Sequence, residues 1–288
     1  MKMLHALFAA GLALAATTAA AGEALALKVY NADAQSFSVN SVLISGPTEA
    51  VVVDAGFTRA DAYRIAANVL DSGKKLTTVL ISNADPDYYF GAEVLKQLFP
   101  DARVVTTPAV RSRIQAKMQA KLGFWGPKMG ANAPQSPVLP DLLQGNTVTV
   151  DGEALEVRGT TGLLAHRPYV WVPALRAVVG NVAVFGNMHV WTADTKTAEE
   201  RAAWIAQLDE MAALKPAVVV PGHMKAGTPI DAANLSFTRD YLKRFDAAVQ
   251  ESAGSAQLMQ AMQSAYPQLG TSLSLEIGAK VVKGEMPW

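Results

Sequence analysis

Residues 83–89 read Asn-Ala-Asp-Pro-Asp-Tyr-Tyr, so Asn83, Asp85, Asp87, Tyr88 and Tyr89 crowd two carboxylates, one amide and two phenols into seven positions. Acids packed this closely repel one another unless a cation or strong hydrogen-bond donors meet them. Two kinds of chemistry are on offer: oxygen ligation of a hard cation, and general-base work by a carboxylate. A plainer role is also open, a polar turn with Asn83 or Asp85 as helix N-cap and Pro86 in the first turn.

The flanking residues say what holds this cluster. Leu76 to Ile81 is an apolar, β-branched run that reads as a buried strand, and Glu93 to Phe99 has the apolar spacing of a helix. The polar residues therefore stand at the carboxyl end of a strand, where the loop leaves the sheet and the next helix offers free N–H groups. Upstream, Leu25 to Tyr30, Phe37 to Ile44 and Ala50 to Asp54 read as strands separated by turn formers such as Ser45-Gly46-Pro47-Thr48. They predict an antiparallel meander whose last strand delivers Asp54-Ala55-Gly56. A helix from Arg59 to Leu70 follows, closed by Ser72-Gly73. The expected order is β-β-β-α-β-α.

Met1-Lys2 is a basic start, Met3 to Ala16 is apolar, and Ala19-Ala20-Ala21 offers small residues for cleavage ahead of Gly22. Residues 1–21 are expected to be a secretory signal peptide and the mature chain, 22–288, to be exported to the periplasm. The apolar run falls short of the roughly 20 residues of a membrane span and no second one follows, so no stable membrane insertion is expected. The absence of cysteine removes disulfides, thiolate metal sites and a cysteine nucleophile. With 25 basic and 25 acidic residues, the chain has no electrostatic case for nucleic acid. Its length suits one large α/β domain.

The order of these motifs resembles the metallo-β-lactamase superfamily of hydrolases. The resemblance rests on Asn40-Ser41 before a strand, then Val53-Asp54-Ala55-Gly56, a helix, Val79-Leu80-Ile81-Ser82, and the polar loop ending in Phe90-Gly91. It continues through Gly159-Thr160-Thr161, Val178-Val179-Gly180-Asn181, Trp204, Leu208-Asp209 and Val219-Val220-Pro221-Gly222-His223. It implies an αββα sandwich, two mixed β-sheets face to face with helices outside, and a pocket at one edge. It also implies hydrolysis by metal-bound hydroxide.

Against the family's His-x-His-x-Asp-His loop this chain has Asn83, Asp85, Asp87 and Tyr88; Thr160 follows Gly159 where a histidine is usual, Asn181 replaces the bridging aspartate, and Asp87 and His223 are kept. One imidazole cannot build a two-zinc centre. Oxygen donors remain, so Asp85, Asp87, His223 and Asn181 are the expected ligands of a single divalent ion, with manganese, iron, magnesium or calcium better suited than zinc. In that reading Asp87 and His223 bind the ion, Asp85 binds it or acts as general base, and Tyr88 or His166 polarises the substrate. The substrate would be an ester, a lactone or a related small molecule. The alternative is a metal-free member that binds a small molecule or a protein partner through an apolar pocket.

His166 sits in the loop expected to overhang the site, and His189 and Asn83 are candidate substrate contacts. The segment 111–143 reads as an insertion or lid. A basic helix from Ala109 to Lys121 leads into Leu122 to Gly130, where Phe124 and Trp125 stand between glycines and Trp125 is a candidate substrate contact. Beyond it, a hairpin turns at Asp151-Gly152, a helix runs from Ala198 to Leu214 behind Thr197, and a last buried strand from Ala217 to Val220 delivers His223. A helix from Asn234 to Val249 follows, and Lys280 to Trp288 reads as an extension.

Overall fold

The amino-terminal meander forms as read. In the computed structural model, which describes residues 25–288, β1 (Ala26–Asn31), β2 (Asn40–Ser45) and β3 (Glu49–Val53) pair antiparallel. The expected signal peptide lies outside the described residues. After α1 (Arg59–Ser72) the chain adds β4 (Lys75–Ile81) parallel to β3, then the short helices α2 (Pro86–Tyr89) and α3 (Ala92–Leu98). β5 (Arg103–Thr106), α4 (Pro108–Met129) and β6 (Asp141–Leu142) complete a six-stranded mixed sheet in the order β1-β2-β3-β4-β5-β6. Thr58 opens α1 with a reciprocal capping box to Asp61, and Gly73 closes it at φ +65°, a conformation that costs glycine nothing.

β7 (Thr147–Val150), β8 (Glu153–Arg158), β9 (Tyr169–Val172) and β10 (Ala177–Val179) form the second sheet by antiparallel pairing. β11 (Phe185–Gly186) leaves it, α5 (Ala198–Ala213) follows, β12 (Val218–Val219) joins β10 in parallel, and β13 (His223–Met224) pairs with β11. Helices α6 (Ala233–Glu251), α7 (Ser255–Ala265) and α8 (Leu273–Val282) end the chain.

Alternation along the strands decides the layers, because successive side chains point to opposite faces. Val42, Ile44, Val51, Val53 and Leu80 from the first sheet meet Val148, Val150, Val157, Val170 and Val179 from the second in one apolar layer. The opposite faces carry helices. Leu43, Val52, Val79 and Ile81 pack with Ile65 and Val69 of α1, Leu95 of α3 and Ile114 of α4. Trp171 and Val178 pack with Trp204 and Leu208 of α5, Tyr241 of α6 and Leu275 of α8. The result is the expected αββα sandwich. Among the described residues no helix is long and apolar enough to cross a membrane.

Three element readings change. β2 starts at Asn40, not Phe37, because Phe37 and Ser38 adopt φ of +57° and +54° in a turn capped by Asp33. α4 runs to Met129 through Gly123 and Gly126 instead of ending at Lys121. Its stripe of Val110, Ile114, Met118, Leu122, Trp125 and Met129 packs on the first sheet's outer layer, and that burial outweighs the roughly 1 kcal/mol each glycine costs. The carboxyl-terminal stretch is a helix as far as Val282, with Leu275 and Ala279 in the core, so only the residues after it are an extension.

Candidate functional site

The carboxyl ends of β3 and β4 are tied by one residue. Asp54 takes the rare left-handed backbone (φ +65°) and accepts 2.7 Å hydrogen bonds from both the Ser82 backbone N–H and the Ser82 hydroxyl. The next residues turn sharply because the Asn83 side-chain oxygen accepts from the Asp85 N–H at 2.8 Å, an Asx turn that launches α2 with Pro86 at its start. Tyr88 is then carried inward and is fully buried. Gly222, before β13, lies against it: a Cβ there would strike the Asn181 carbonyl and sit 2.5 Å from the Tyr88 hydroxyl.

Asp87 and His223 do meet, with Oδ2 3.5 Å from Nε2. The His223 Nδ1 lies 3.0 Å from the Phe37 carbonyl, so Nδ1 carries the proton and Nε2 faces the acid. Phe185 stacks on the imidazole at 5.3 Å and Tyr88 meets it edge-on at 5.6 Å. Burial favours the neutral form of each partner. It drives the His223 pKa down to about 4 and, with Asp85 adding repulsion, pushes that of Asp87 well up.

The other expected ligands are turned to protein partners. Asp85 forms a 2.5 Å ion pair with Lys121 of α4, which also donates to the Ala84 carbonyl. The Asn181 amide donates to the Val220 carbonyl at 3.1 Å and accepts from the Val184 N–H at 2.8 Å, holding β11 and β12 in place. The Tyr88 hydroxyl donates to the Asn181 carbonyl at 3.3 Å. Among the described residues no three His, Cys, Asp or Glu side chains converge on a point where an ion could sit. The donors that a metal centre of this fold would need are therefore not arranged to hold one.

His166 and His189 part company. His189 is buried with both ring nitrogens engaged, Nδ1 at 2.8 Å from the Tyr241 hydroxyl and Nε2 at 3.0 Å from the Gly270 carbonyl. It clasps α6 to the loop before α8 and has no free nitrogen for a substrate. His166 is half-buried with Nε2 unpartnered, and burial followed by repulsion from Arg113 and Arg167 lowers its pKa to about 4. Trp125, expected at the pocket, packs edge-on against Phe37 and Phe57 at 5.4 Å each. It anchors α4 beside the site.

Three residues here escaped the sequence reading: Lys121, Arg167 and Asp194. Asp194 accepts from the indole N–H groups of Trp191 at 2.6 Å and Trp288 at 2.8 Å; burial works against its ionisation, but these donors hold its pKa below the usual value. Arg167 is 3 % exposed and lies with its guanidinium carbon 4.3 Å from the Trp204 ring centroid. Lys121 could have been found, since a basic residue on the apolar stripe of a helix must point at something. The other two lie in loops whose course no periodicity announces.

The metallo-beta-lactamase superfamily model matches residues 35–223. Comparison with curated proteins gives no match. Among solved structures, a metallo-beta-lactamase family protein from Thermus thermophilus is 18% identical with a TM-score of 0.62, over 91% of this chain and 92% of that one. A beta-lactamase domain protein from Burkholderia ambifaria is 15% identical with a TM-score of 0.60, over 90% and 84%. A metallo-beta-lactamase from Pontibacter korlensis is 18% identical with a TM-score of 0.52, over 79% and 97%. At these identities the likeness speaks for the fold alone.

Proposed function

Since the chain belongs to the metallo-β-lactamase superfamily, we propose that it is an exported member of that hydrolase fold whose metal-binding face has become a metal-free site for a small molecule. The observation that carries this reading is the engagement of the donors. Lys121 neutralises Asp85, main-chain groups consume the Asn181 amide, and the Tyr88 ring fills the space beside His223. Breaking those contacts to admit an ion would leave the buried Asn181 amide unpaired, which costs about 1–3 kcal/mol. Export rests on the leader-like residues 1–21.

Elemental analysis of the purified mature protein tests the reading. Less than about a tenth of an equivalent of any divalent metal is expected, together with a melting temperature that chelator leaves unchanged. The Asp87–His223 approach at 3.5 Å favours a second reading, hydrolysis of an ester or lactone around one hard cation. A stoichiometric ion that is lost in Asp87→Ala would decide for it.

A further inference from the structure

Arg167 is a buried cation without a carboxylate in direct contact among the described residues. It is 3 % exposed, and among the described residues it forms no ion pair; the one hydrogen bond of its side chain is a long one, Nη2 to the Val182 carbonyl at 3.4 Å. Its Nε is buried and unpartnered, and so is the Nε2 of the adjacent His166. The two acids whose fields reach it most strongly are already committed, Asp194 to the two indoles and Asp85 to Lys121. Arg113 of α4 adds a further positive charge, felt by both residues. A guanidinium is seldom left this way, because an unpaired buried charge costs several kcal/mol.

We propose that Arg167 and His166 form an oxyanion-binding site at the foot of the 159–168 loop, which takes the carboxylate or phosphate group of a small molecule. The chemistry fits the donors. The planar guanidinium, pinned by its stacking on Trp204, keeps its fork in one orientation, and a carboxylate or phosphate oxygen accepts from it and from the imidazole N–H in the Nε2–H tautomer. Arg113 on α4 favours an anion approaching from that side. Thr161, Gly162 and Leu163 are exposed, and Gly159 and Gly162 take φ of +70° and +76°, so this loop is the part of the wall that can give way to a ligand. The inference rests on the metal-free reading above and supplies the class of ligand for that same face.

The test is calorimetric titration of the mature protein, treated with chelator, with inorganic phosphate and with acetate in a chloride buffer of matched ionic strength. At least one of the two anions is expected to bind saturably. Arg167→Lys, which keeps the charge and loses the fork, should weaken that binding about tenfold or more. His166→Phe should weaken it by a smaller factor, and because His166 is half-buried this variant decides the matter if Arg167→Lys does not fold. Saturable binding that both variants retain at wild-type affinity overturns the site, and so does the absence of binding by either anion. Either of those results in a protein with less than about a tenth of an equivalent of metal leaves the proposed function standing. Anion binding that requires a stoichiometric metal ion overturns both.

Discussion

Tyr88 and Gly222 form a matched pair: the phenol occupies the space over the Asn181 carbonyl, and only a residue without a side chain passes beneath it. Gly222→Ala should therefore destabilise the fold by about 3 kcal/mol or more, visible as a large drop in melting temperature or loss of soluble protein. The titratable groups beside them give signed predictions. Burial raises the Asp54 pKa from 3.8 to about 7, the Ser82 donors offsetting only part of the effect. An acid with a raised folded pKa stabilises the native state fully below its unfolded value and loses that contribution as pH rises through the folded one. Asp54→Asn should remove that loss, shifting the stability difference between about pH 4.5 and 7.5 by roughly 3 kcal/mol in favour of the higher pH in urea unfolding. His223 works in the opposite sense. Its pKa is depressed from 6.5 to about 4, so its contribution is complete above the unfolded value and fades as pH falls through the folded one. Its ring carbon resonances should show no titration between about pH 5.5 and 7.5. At this scale the sequence was legible where a residue kept its partner: Asp87 and His223 do meet. It was not legible for His189, because a loop histidine carries no mark distinguishing a pocket wall from a clasp between helices.

The element that most shapes the site is α4. Its apolar stripe seats it on the first sheet's outer layer, and Lys121 and Trp125 fasten its second half next to the 83–89 loop. The ion pair is partly exposed and contributes well under about 1 kcal/mol, whereas half-buried Trp125 contributes packing. Trp125→Ala should thus cost about 2 kcal/mol in unfolding free energy and speed hydrogen exchange in residues 118–129, while Lys121→Met should leave stability within about 1 kcal/mol of wild type. Sequence periodicity located β1 to β4, the β7–β8 hairpin and β12, and the starts of α1 and α5, since caps and alternation are local signals; it did not single out β5, β6, β9, β11 or β13, which have four residues or fewer. It misplaced the end of α4 because glycine and proline are also local signals, and here tertiary packing overrode them; Pro127 falls in the last turn. The aromatic pair between glycines stands on this helix, where Trp125 packs against Phe37 and Phe57 and Phe124 is exposed.

At the scale of the molecule, the αββα sandwich was the most legible feature, because the strands supply three apolar layers from simple alternation. The fold alone holds the family's backbone, so ligand chemistry can be reintroduced without rebuilding it. A variant carrying Asn83→His, Asp85→His, Tyr88→His and Asn181→Asp should bind zinc more tightly than wild type in calorimetric titration. Adding Thr160→His should gain nothing further, since Thr160 is turned toward Asn146, whose amide donates to its hydroxyl at 3.4 Å. The arrangement of indoles across the molecule also makes the protein its own spectrometer. Of five tryptophans, Trp204 alone is fully buried with a guanidinium on its face, which places its emission under the field of Arg167. Neutralising that charge shifts the indole's excited state without any added dye, so events at the 159–168 loop are read as colour from the opposite side of the ring.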